Sequence, residues 1–163
     1  MGNIFRLFFG LGILLLWSCD HGSVYSGYQS VNDSWGKGQS VDFTFQSPDT
    51  LKAYNMFINL RNDNDYPFSN LFLIVKLNFP DGRIIADTLQ YEMAKPDGEW
   101  LGSGFTDLKE NKLWYKENVV FPVSGTYTVG IEHAMRKVGE EQGIADLKGI
   151  TDVGLEIEKV NKE

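Results

Sequence analysis

Few residues in this chain have the type and spacing that chemistry requires. A hydrolase needs a nucleophile beside a base, and the bases on offer are two histidines, His21 and His133, far apart in sequence. Ser103 sits in Gly102-Ser103-Gly104, but G-x-S-x-G and its strand–turn–helix setting are missing, so a flexible loop is the simpler reading. A zinc site needs several His or Cys at ligand spacing, which one cysteine and two distant histidines do not supply. Asn62-Asp63-Asn64-Asp65 offers oxygen donors at alternate positions, as a calcium loop does. The glycine and distal glutamate of that motif are missing, and the run reads as a polar turn between strands. Carboxylates are scattered over many turns, with no pair marked out for glycoside hydrolysis. The expectation is therefore no enzyme, no cofactor and no metal. Trp100, Trp114 and Tyr115 could stack on a sugar; as large rings they could equally cover the ends of a strand-built domain. Arg136 follows an apolar run and could pair with an acid such as Asp152 or dock a partner.

Covalent chemistry is suggested at one position, Cys19. A lone cysteine cannot form an intramolecular disulfide. The eleven residues 7–17 are all apolar or glycine. As a helix they span roughly 16 Å, about half of a ~30 Å hydrocarbon core, which is too short to cross a membrane and suits a signal peptide. The segment Leu16-Trp17-Ser18-Cys19 resembles the lipobox of bacterial lipoproteins, although Trp17 is larger than the residue usual at its position. The resemblance implies diacylglycerol on the Cys19 thiol and cleavage before it, so that residues 1–18 are a signal peptide. Two acyl chains hold a protein stably where one is marginal. The lipoprotein resemblance also implies a periplasm-facing protein, since the stretch after the cysteine holds a single acid, Asp20, rather than an acidic run.

The elements that must position any site read as strands. Residues 19–39, rich in Ser, Gly and Asn, read as the lipidated N-terminus and a tether, with Val31 and Trp35 available to dock. From residue 40 the period is near two: Val41, Phe43 and Phe45 alternate with Asp42, Thr44 and Gln46. Further strands are expected over 54–60, 71–79, 83–93, 113–121, 126–134 and 150–158. The run 71–79 is nearly continuous apolar, as in a strand covered on both faces. Pro80-Asp81-Gly82 then turns it into a hairpin with 83–93. Residues 99–107 and 136–148 read as loops. The expected fold is all-β: a single antiparallel β-sandwich, immunoglobulin-like or jelly-roll-like, over residues 40–163.

The formal charge is −7, and removing residues 1–18 deletes Arg6 and no acid, leaving −8. Such a body does not suit nucleic acid or polybasic attachment to anionic lipid.

Several segments together carry a family resemblance. They are Leu60-Arg61-Asn62, Tyr66-Pro67-Phe68-Ser69-Asn70-Leu71, the run 97–104 (DGEWLGSG), Ala134-Met135-Arg136 and the run 149–159 (GITDVGLEIEK). In this order, behind a lipobox cysteine, they resemble the GldH family of gliding-motility lipoproteins of Bacteroidetes. The resemblance covers essentially the whole chain. It implies a cell-envelope lipoprotein that supports gliding and the associated type IX secretion apparatus as a non-catalytic scaffold or assembly factor. It implies acyl chains on Cys19 in a membrane, and envelope proteins as partners. It supplies no functional residue besides Cys19. The alternative expectation is a glycan-binding β-sandwich lipoprotein of the periplasm or cell surface, with its aromatics exposed in a row.

Overall fold

In the computed structural model, residues 22–32 and 34–160 are described. They form ten strands: β1 (Ser23–Ser30), β2 (Ser34–Gly36), β3 (Val41–Gln46), β4 (Ala53–Asn62), β5 (Asn70–Asn78), β6 (Ile84–Glu92), β7 (Lys109–Val120), β8 (Thr126–His133), β9 (Asp146–Lys148) and β10 (Ile150–Lys159). Two four-stranded sheets, in the orders β1-β10-β4-β7 and β3-β8-β5-β6, pair antiparallel throughout. If only these eight strands are counted along the chain, the sheets read 1-8-3-6 and 2-7-4-5. The chain thus crosses between the sheets as in a jelly roll of two Greek keys, which settles the choice left open by the sequence.

Alternation builds the core. In β3 the burial pattern is strictly two-fold, with Val41, Phe43 and Phe45 inward. The sheet opposite sends in Met56, Ile58 and Leu60 from β4 and Val153, Leu155 and Ile157 from β10. These six sit as cross-strand partners: Ile157↔Met56, Leu155↔Ile58 and Val153↔Leu60. From β5 come Leu71, Leu73, Val75 and Leu77, each at most 1% exposed. The outer face of β5 is only half covered and includes the exposed Lys76. The apolar run 71–79 is therefore a one-sided strand whose outer Phe72 and Ile74 are partly shielded, and not a strand covered on both faces.

Within the segment expected to be a tether, Ser23–Ser30 and Ser34–Gly36 are strands of the domain. β1 is the edge partner of β10 along its whole length, and Tyr25 packs on Phe45 across the sandwich, ring centroids 5.4 Å apart. Trp35 of β2 is fully buried beside its ladder partner Leu147 of β9, and its indole N–H donates to the Gln39 carbonyl. The run 136–148, expected to be a loop, accordingly ends in a three-residue strand. At the opposite edge, β6 and β7 close the sandwich with polar groups. The Tyr91 hydroxyl donates to the Trp114 carbonyl at 2.6 Å, while Asp87 accepts from Tyr115 and pairs with Lys116. Filling the lateral hydrogen-bonding groups of an edge strand blunts it against pairing with another chain.

Candidate functional site

Tyr66 organises one end of the sandwich. It lies between β4 and β5, where Pro67 restrains its backbone to extended values. Its ring is 3% exposed, and its hydroxyl donates to the Asn70 carbonyl at 2.7 Å. Burial pushes the phenol far above its ordinary pKa, so it remains a neutral donor. Gly149 opens β10 against the same turn. Its φ is +79°, and a Cβ there would stand 2.1 Å from the Tyr66 nitrogen. Only glycine meets both demands, a left-handed backbone and contact with a neighbouring main chain. Beneath the turn, the Asn111 amide donates to Asn62 Oδ1 at 2.8 Å and to the Leu60 carbonyl at 3.3 Å, a buried network that ties β4 to β7. Gly102 closes over it, since a Cβ at that position would lie 2.7 Å from Asn111 Oδ1.

Segments distant in the chain meet here. Trp100 rests against Tyr66, with centroids 6.2 Å apart, and its indole N–H donates to Asn64 Oδ1. The Met135 sulfur accepts from the Phe72 amide. Phe68, half-buried, stands among three clefts. One of about 640 Å³ runs between Phe68, Phe72, Met135 and the loop after Arg136. A second, of about 340 Å³, lies towards Ile144 and Lys148. The third, of about 190 Å³, lies towards Trp100. Arg136, Lys137 and Lys148 border these clefts together with Asp65, Glu140, Glu141 and Asp146, and no ion pair within 4 Å joins these cations to a carboxylate among the described residues. An aromatic knob framed by charged side chains of both signs is the kind of surface on which partner proteins find anchor points.

The residues singled out from sequence fall in different places. Trp114 and Tyr115 are neighbours on β7 and so point to opposite faces. Tyr115 is buried between the sheets, whereas Trp114 lies outside on Phe57, 51% exposed, with centroids 4.4 Å apart. Trp100 belongs to the Tyr66 end, so the three rings form no row. Arg136 is at the clefts, without the ion pair to Asp152 that the sequence allowed; Asp152 instead accepts from Thr151. Ser103 is exposed, in backbone pairing with Glu110. His133 is buried edge-on to Trp35, and burial is the chief reason its pKa is lowered. Within Asn62–Asp65 the side chains serve the turn: Asp63 accepts from the Asp65 amide, and Asn64 bridges Asp107 and Trp100. No group of three or more His, Cys, Asp or Glu converges among the described residues. Cys19 lies outside the described residues.

Sequence reasoning missed the partnership of Tyr66, Phe68 and Gly149. The signal available was that every segment carrying the family resemblance contributes to this end: 60–62, 66–71, 97–104, 134–136 and the start of 149–159.

The outer face of the β1-β10-β4-β7 sheet carries a second set of contacts. Lys112 lies over the Phe57 ring and pairs with Glu156 and Glu158 at 3.1 and 2.6 Å. Burial raises the Glu156 pKa, but the bonds from Asn59 and Lys112 outweigh it and leave the carboxyl below its ordinary value. Arg61 stacks on Tyr28, which bonds Glu110. These groups link β1, β10, β4 and β7 across the sheet face, with the buried Asn59 Oδ1 left without a partner.

Fold and site together define a jelly-roll domain whose resemblance-bearing segments meet at one end of its sandwich. The chain belongs to the GldH lipoprotein family, whose model matches residues 23–157, beginning at the first residue of β1. It is 54% identical to the gliding motility lipoprotein GldH homolog of Christiangramia forsetii, over 98% of each chain. It is 50% identical to the gliding motility lipoprotein GldH of Flavobacterium johnsoniae, over 91% of this chain and 92% of that one. Among solved structures, the glucuronidase BtGH115A aligns with a TM-score of 0.43 and 12% identity, covering 88% of this chain and 18% of that one.

Proposed function

We propose that this protein is a non-catalytic scaffold or assembly factor of the cell envelope that supports gliding motility, the associated type IX secretion apparatus, or both. Acyl chains on Cys19 hold it in a membrane, with the sandwich facing the periplasm. It binds envelope protein partners through the Phe68 end. The observation that carries this reading is the meeting of all the resemblance-bearing segments at that end, where Phe68 stands among clefts bordered by charged side chains. The membership of the family supports the lipid anchor and the motility setting.

Protein extracted from membranes should co-purify motility or secretion components, and Phe68→Asp together with Arg136→Ala should lose them while the domain unfolds as before. Recovery of no such component, or equal recovery by the variant, would defeat the proposal. A glycan-binding role needs a platform of rings, and Trp100, Trp114 and Tyr115 occupy three separate environments.

A further inference from the structure

The first described residue fixes how far the domain can stand from its anchor. The Gly22 carbonyl accepts from the Lys159 amide at 3.0 Å, and Ser23 lies opposite Glu158 in the β1–β10 ladder. Gly22 is therefore held at the finish of β10. Cys19 lies three residues earlier, and three peptide units span at most about 10 Å. The start of β10, at Tyr66, is the other end of the sandwich, and ten residues at ~3.3 Å each carry the strand about 30 Å between the two ends.

The surface around Gly22 is apolar at its tips. Leu51, in the β3–β4 connection, is 91% exposed. Val24 and Val120 are exposed at 38% and 44%, and Ile84, just after the β5–β6 turn, at 63%. The turns belong to one surface: the Ser47 amide donates to the Gly125 carbonyl, and Pro80 packs against Gly125. Two of the cations here are neutralised, Lys52 by Asp49 and Arg83 by Asp81, while Lys159 stands beside Leu51 and Lys52. Apolar side chains projecting around paired charges, on a short leash from acyl chains, suit a bilayer surface rather than a soluble partner. Attraction to anionic lipid has no part in it, because the chain carries −7 overall.

We propose that this end of the sandwich rests on the bilayer with Leu51 in the headgroup region, so that the Phe68 end is held about 30 Å further from the membrane. The proposal rests on the reading that Cys19 is lipidated. Lipidation consumes the Cys19 thiol, so a cysteine introduced by Leu51→Cys or Val138→Cys is the sole free thiol for a fluorescent label. Both sites are exposed, Val138 at the Phe68 end. Each labelled protein, purified with its native lipid, is placed in vesicles of zwitterionic phospholipid, with and without a spin-labelled headgroup. The intact mass of the same sample reports the lipid. Expected is loss of most of the emission from position 51 and none from position 138, with little change on adding salt. Lipidated protein whose position 51 escapes quenching overturns the docking while leaving the anchor in place. If position 51 is shielded from both lipid quencher and aqueous iodide, a second copy or another protein covers this end and the docking is likewise overturned. A mass showing an unmodified Cys19 removes the anchor itself, and the docking with it.

Discussion

Gly149→Ala tests the keystone of the Phe68 end, and Gly82→Ala is its matched control. Both glycines are left-handed, with φ of +79° and +85°. Alanine in that region costs about 1–2 kcal/mol, so backbone strain is shared by the two variants. They differ in what a Cβ meets: at Gly82 nothing lies within 4 Å, whereas at Gly149 the Tyr66 nitrogen is 2.1 Å away, its Cα 2.5 Å and the Asp65 carbonyl carbon 2.6 Å. All three are main-chain atoms, so no side chain can swing aside, and β10 must part from the 65–66 turn. Forced overpacking of this kind costs about 1–3 kcal/mol more. For a domain of this size 1 kcal/mol shifts Tm by roughly 3–4 °C. Gly149→Ala should therefore melt about 3–12 °C below Gly82→Ala when the two are followed by circular dichroism. It should also loosen the clefts, seen as faster hydrogen exchange over residues 63–72 while β3 and β8 stay protected. Equal Tm values would show that Gly149 does not press on Tyr66, and would refute the organisation described for this end.

Other outcomes follow from particular contacts. Asn111→Ala strips the donor from buried Asn62 and the Leu60 carbonyl and should cost about 1–3 kcal/mol, read from urea midpoints; an unchanged midpoint would mean water replaces it. Trp35→Ala should cost about 3–5 kcal/mol, and deleting residues 23–36 should abolish cooperative unfolding; a stable deletion variant would restore that segment to a tether. His133 is held neutral, with its pKa lowered mainly by burial and further by the charge of Lys37. The unfolded chain therefore binds the proton first. The stability His133 contributes is complete above the unfolded value of about 6.5 and falls as pH drops from there through the lowered folded value. Urea midpoints between pH 7.5 and 5.5 should decline in the wild type and stay flat in His133→Asn. Cys19→Ala should accumulate as an unprocessed precursor without lipid label; normal maturation would take the lipid site away from Cys19.

Seven of the eight sandwich strands were legible: β3 most plainly from alternation, β5 from a nearly continuous apolar run and β6 from the turn before it. β1 was not. Its inward positions are Tyr25, Gly27 and Gln29, so no apolar period marks Ser23–Ser30. Gly27 is small because the Tyr25 hydroxyl and the Phe43 ring crowd the place of its Cβ. β2 and β9 are three residues each, and only Trp35 hinted at them. The split between Trp114 and Tyr115 was legible from the strand period alone, since adjacent residues on a strand face opposite ways. The Phe68 end was legible only in parts. Tyr66-Pro67 announced a turn, but what it packs on comes from Gly149, far along the chain, and no local pattern encodes that contact. The lipobox expected at residues 16–19 lies outside the described residues.

That a sandwich leashed to a membrane offers its Phe68 end to envelope proteins is our proposal. It is tested most directly by a photo-crosslinking amino acid placed in living cells at Phe68 and, separately, at Thr44, an exposed site on the face of β3. Adducts with motility or secretion proteins are expected from position 68 and none from position 44. Adducts from position 44 alone, or identical adducts from both, would contradict it.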